Sequence, residues 1–129
     1  LGKARFFIRL GVTLIALVLI VCLARVWFGG SRTQVIPWQD AAKHYGEYAT
    51  VEGTIVATYN SGKVCFLNFH PDHKRYFTAV IFARDFSRFP ANPESYYQGK
   101  KVRVSGYIKE YKGKPEIILN DPSQIEILK

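Results

Sequence analysis

The pattern of apolar and polar positions divides the chain into an unbroken apolar run and a longer stretch of short, alternating segments. Leu10 to Ala24 contains no charged residue, and it lies within the run Phe6 to Phe28, FFIRLGVTLIALVLIVCLARVWF. A run of this kind predicts one helix, and the flanks bring its 15 uncharged residues up to the ~20 that a hydrocarbon core of ~30 Å requires. Gly29 to Thr33 is polar, and Pro37 to Tyr45 predicts a short helix started by proline and ended by Gly46. From Tyr48 the period shortens. Tyr48 to Tyr59 is rich in β-branched residues and stops at Asn60-Ser61-Gly62, so it predicts a long first strand, with Gly53 marking a bulge. Val64 to Phe69 and Tyr76 to Phe82 predict two strands that are apolar at nearly every position, which means either that both faces are covered or that one face binds something. Arg84 to Gln98 is broken by Pro90 and Pro93, with Asn92-Pro93-Glu94 as a cap and first turn. Lys101 to Ile108 alternates, placing Val102, Val104 and Ile108 inward and Arg103, Ser105 and Tyr107 outward. Tyr111 to Lys114 turns the chain into Glu116 to Leu119, and Gln124 to Leu128 is a last extended piece. Val51, Ile55, Val102, Val104, Ile108 and Ile118 are the expected core.

A bulged first strand, a helical interruption after the third and a hairpin of the fourth and fifth describe a mainly β domain. The expected architecture is a five-stranded OB-fold barrel with a short helix, preceded by one N-terminal transmembrane helix; a small open β-sandwich is the alternative. The corresponding division is an anchor over 1–30, a linker over 31–37 and the OB-fold domain over 38–129. The stretches VEGTIVATYNSGKVCFLNF, FTAVIF and YYQGKKVRVSGYIKEYKGKPEIILNDPSQIEIL resemble bacterial OB-fold domains of the nucleic-acid-binding type. The resemblance runs from about Trp38 onward, and rests on turn glycines and apolar alternation. It implies a binding module without catalysis.

Charge changes the picture of where the domain sits. The net charge is +8, but Lys3, Arg5, Arg9 and Arg25 flank the apolar run, and the 14 basic and 10 acidic residues after Gly30 give only +4. Half of the basicity therefore belongs to the anchor rather than to a nucleic-acid footprint. Arg9 and Arg25 lie 16 residues apart, about 24 Å along a helix, so both guanidinium groups reach opposite headgroup layers. Trp27 and Phe28 fall at the membrane interface, and the small residues Gly11 and Ala16 offer a surface for helix packing. No small-x-small cleavage site follows, so the span is expected to be retained. The basic excess ahead of it predicts a single-pass protein with a cytoplasmic N-terminus and the domain on the periplasmic or extracellular side.

Candidate chemistry is sparse. The sequence contains no G-x-S-x-G, no G-x-x-x-x-G-K and no H-E-x-x-H, so neither an enzyme nor a cofactor is expected. His70, Asp72 and His73 are weak candidates for a metal, with Cys65 the nearest soft donor; an exposed polar loop is the simpler reading. The leading functional expectation is an accessory subunit of an integral-membrane assembly, with extrinsic contacts through Trp38, Tyr96, Tyr97 and Tyr107. The alternative is a membrane-tethered domain for single-stranded nucleic acid, using Lys63, Phe66, Asn68, Lys74, Arg75, Tyr76 and Lys112.

Overall fold

The computed structural model describes residues 33–129. The span expected over Phe6 to Phe28 lies outside the described residues, and with it Arg9, Gly11, Ala16, Arg25, Trp27 and Phe28. Among the described residues no helix is long and apolar enough to cross a membrane.

Among the described residues nine strands form two mixed sheets. The first has the order β1-β2-β6-β9, with β1 Val35–Pro37, β2 Tyr48–Thr54, β6 Lys101–Tyr107 and β9 Ile125–Ile127. The second has the order β3-β4-β5-β8-β7, with β3 Ala57–Asn60, β4 Val64–Asn68, β5 Thr78–Phe82, β8 Lys114–Ile118 and β7 Lys109–Tyr111. β1 on β2 and β5 on β8 are the parallel pairs; the others are antiparallel. The expected single barrel of five strands is thus corrected to two sheets. The reason is that the two longest extended segments each break and change partner. After Thr54 the Ile55 N–H donates to the Lys100 carbonyl and the Val56 N–H to the Asn68 carbonyl, which hands the chain from β6 to β4. Between β6 and β7, the Ile108 N–H donates instead to the Glu47 carbonyl.

Several local expectations are corrected too. Val35–Pro37, read as linker, is a strand, because Ile36 buries its side chain in the core while Val35 and Pro37 face out. The helix after it is a six-residue 3-10 helix, Trp38–Lys43, anchored by the fully buried Ala41. Gly53 is no bulge: it stays in register opposite Val102. Its role is close approach, since a Cβ there would lie 2.5 Å from Trp38 Cδ1 and 2.7 Å from Phe69 Cδ1. Between β5 and β6 the chain forms a 3-10 helix, Ala83–Arg88, and α1, Pro93–Tyr97. Tyr97, expected to be exposed, is 3% accessible and packs in the core, where burial pushes its hydroxyl pKa up to about 12.

The core joins the inner faces of both sheets. Val51, Ile55, Val102, Val104 and Ile108 are fully buried, as the alternation predicts. Ile118 is not: Ile117 and Leu119 enter the core, and Ile118 is half-buried on the opposite face. Three consecutive apolar residues carry no alternation of their own, so pairing with β5 sets the register.

Candidate nucleic-acid interface

The outer face of the second sheet carries a row of four residues in direct cross-strand register: Tyr59 on β3, Phe66 on β4, Val80 on β5 and Ile118 on β8. The row exists because Cys65 and Leu67 point into the core, which forces Phe66 between them outward. The near-continuous apolarity of β4 is thereby explained, since Phe66 on its outer face lies outside the core, whereas β5 is covered on both faces, with Val80 only 1% accessible. Tyr59 is 62% exposed and Phe66 half-buried, so both rings remain available.

Three shallow depressions, about 400, 260 and 120 Å³, meet at Phe66. The largest is shared by His73 and Lys74 from the 70–75 loop and by Tyr111, Lys112, Lys114 and Glu116 from the β7–β8 hairpin. The second reaches Tyr59 and Asn68, and the third reaches Lys109. The hairpin tip is a two-residue turn with Lys112 at φ 50° and Gly113 at φ 79°, a shape that holds β7 and β8 close and presents Lys112 at the rim. Lys109 and Lys112 flank the Tyr111 ring, with their ammonium groups 5.5 and 5.4 Å from its centroid. Across the face, Lys114 Nζ donates to the His73 carbonyl at 2.5 Å and so ties the hairpin to the loop.

Two charged groups on this face are almost inaccessible, Lys114 at 8% and Glu116 at 3%. Burial raises the pKa of Glu116, against the pull of Lys109 and Lys114; burial lowers that of Lys114, against the pull of Glu116. Lys109 Nζ lies 3.9 Å from Glu116 Oε1.

Of the residues expected to contact nucleic acid, Phe66, Lys74 and Lys112 come together in one depression. Asn68 borders the next, but it is buried and its Oδ1 accepts from Thr78 Oγ1. Three others are placed elsewhere. Lys63 lies in the β3–β4 turn, where its carbonyl accepts from Ala83. Arg75 pairs with Asp72 at 3.6 Å, and Tyr76 packs edge-on against Trp38 with centroids 5.7 Å apart. Sequence reasoning missed Tyr59, Lys109, Tyr111, Lys114 and Glu116. The signal was present: Lys109 and Tyr111 before the turn, and Lys114 and Glu116 after it, each recur with a period of two, which places every pair on one face of a hairpin.

The remaining candidate residues are placed as follows. The His70 ring packs against Tyr76 and Trp38, at 4.2 and 5.8 Å, and its Nδ1 accepts from the Asp72 N–H. Among the described residues no group of three or more His, Cys, Asp or Glu side chains is placed to hold a metal. Cys65 faces the core, and burial pushes its thiol pKa up to about 12. We expect it to resist iodoacetamide at neutral pH in the native protein and to react fast only in denaturant, which mass spectrometry of the alkylated peptide will check. Trp38 is partly buried against the core. Tyr96 is covered by Lys100 at 4.0 Å, and Tyr107, 69% exposed, meets Tyr48 edge-on at 5.2 Å. A larger cavity of about 640 Å³ lies beside Trp38. It is poor in free cations, since Lys101 in its wall pairs with Glu52 at 3.3 Å.

No protein-family model matches the chain, and no curated protein matches it. Solved structures do. Asparaginyl-tRNA synthetase from Pyrococcus horikoshii aligns at 17% identity and TM-score 0.50, over 73% of this chain and 23% of that one. The Entamoeba histolytica asparaginyl-tRNA synthetase in complex with asparaginyl-adenylate aligns at 16% identity and TM-score 0.53, over 75% and 24%. Aspartyl-tRNA synthetase from Entamoeba histolytica aligns at 11% and 0.51, over 74% and 21%. The chain spans about a quarter or less of the length of these proteins. At such identities the likeness is one of fold: the described part is a mainly β, OB-fold-like domain of two mixed sheets with few helices.

Proposed function

We propose that this domain binds single-stranded nucleic acid, without catalysis, on the face centred on Phe66. The observation that carries the reading is one apolar row on the outer face, with the exposed Tyr59 and the half-buried Phe66 on it, bordered by depressions whose walls carry Lys74, Lys109, Lys112 and Lys114. Rings provide stacking surfaces for bases of any sequence, and ammonium groups at their rim follow the phosphates. The OB-fold-like architecture shared with tRNA synthetases supports this reading over that of an accessory subunit. The apolar run Phe6 to Phe28 adds a tether, making the protein a membrane-attached nucleic-acid binder.

The test is anisotropy of a labelled single strand of about 12 nucleotides with the full chain in mild detergent, across a salt series. The reading predicts a plot of log affinity against log salt with a slope of about −2, made shallower when Lys74 and Lys112 are both replaced by glutamine. Absence of binding at low salt, or binding indifferent to salt and to both substitutions, would overturn it. Co-purification of a membrane protein that resists the same salt series would then favour the subunit.

A further inference from the structure

We infer that the face is selective for guanine, and that Glu116 reads the guanine edge with Lys114 beside it. The inference rests on the nucleic-acid reading above and adds a base preference to it.

Lys114 and Glu116 are two residues apart on β8, so their side chains lie on the same side of the sheet as Phe66, with which both share the largest depression. Lys114 uses one of its three N–H donors on the His73 carbonyl and keeps two. Glu116 is different. Its closest cation, Lys109, is 3.9 Å away, beyond hydrogen-bond distance, and among the described residues no donor engages its carboxylate. No buried side-chain oxygen or nitrogen of the described residues lacks a partner, so the carboxylate of this side chain, only 4% accessible, keeps a narrow contact with water through the depression.

A base stacked on Phe66 removes that water. The cost of stripping a carboxylate is recovered only if the base supplies N–H donors in its place. Guanine alone presents two adjacent donors, N1–H and N2–H, which fit the two oxygens of one carboxylate, and its O6 follows on the same edge as an acceptor for the ammonium. Adenine and cytosine offer a single amino group beside an unprotonated ring nitrogen, whose lone pair opposes the carboxylate. Thymine and uracil offer one N–H between two carbonyls. Single strands expose these edges because their bases are unpaired. A matched two-point contact of this kind discriminates by roughly 1–3 kcal/mol, about 5- to 150-fold.

Three single strands of equal length, alternating GT, IT and AC, separate the possibilities, because inosine differs from guanine only by the missing N2 amino group. With the full chain in detergent the expected order of affinity is GT, then IT, then AC, with GT about tenfold above AC. Glu116→Gln, whose amide can pair with the amino group and ring nitrogen of adenine or cytosine, should abolish the preference for GT over AC. Equal affinities for GT and AC in the unaltered protein would overturn the inference and leave the binding face standing. So would a Glu116→Gln variant that keeps the full preference. Failure to bind any of the three would remove the nucleic-acid reading together with the preference built on it.

Discussion

Phe66→Ala should weaken binding of a single strand by about 5- to 150-fold, the ~1–3 kcal/mol that one base stacked on an aromatic ring contributes. The magnitude follows from position. Phe66 borders all three depressions of the face, whereas Tyr111 borders two and Tyr59 one, so Phe66 is the ring that they share. The same substitution should leave the domain folded, because Phe66 lies outside the core cluster that Cys65 and Leu67 enter from either side of it. Leu67→Ala is the matched control. It empties a fully buried position and should cost about 2–5 kcal/mol of stability without touching a ring on the face. Thermal melting and anisotropy on the two variants thus give opposite patterns. A Phe66→Ala protein that melts like Leu67→Ala, or binds like the unaltered protein, would show that the ring is part of the core and not a platform.

The sequence made some of this legible and concealed the rest for physical reasons. Lys101 to Ile108 could be read position by position, because a strand with one wet face alternates, and Val102, Val104 and Ile108 are buried as read. Phe66 was recognisable as a candidate because β4 is apolar on both sides, but which side faces the core was not, since periodicity is silent when every position is apolar. The same silence misplaced Ile118. Tyr97 misled for another reason: an aromatic at the end of a short helix reads as exposed until the sheet that α1 covers is known, and its partners β3 and β4 lie 25 to 40 residues earlier in the chain. Glu116 and Lys114 were hidden most deeply. A lysine and a glutamate beside a glycine turn look like solvated charges, and only the closing of the hairpin over β5 and the loop's hold on Lys114 make them nearly inaccessible.

Val104→Asp should abolish folding of the domain. Val104 is fully buried on β6, opposite Val51 on β2 and Ile125 on β9, both of which belong to the core cluster. A carboxylate there faces apolar neighbours on both flanking strands and finds no donor. Ionised, it carries a desolvation cost of several kcal/mol; neutral, it still loses its hydrogen bonds to water and the packing of two methyl groups. Set against a total stability of ~5–15 kcal/mol for a domain of this size, either form takes most of the margin. The neighbouring position provides the contrast. Arg103 faces solvent and pairs with Glu52 at 3.1 Å, so Arg103→Gln removes only a solvent-screened ion pair and should cost little. Circular dichroism with urea titration should show Arg103→Gln close to the unaltered protein and Val104→Asp without a cooperative transition. Comparable midpoints for the two would mean that β6 presents its other face to the core. The register that carries Phe66 outward is independent of that result, because it rests on β4 and β5, so the fold and the face can fail separately.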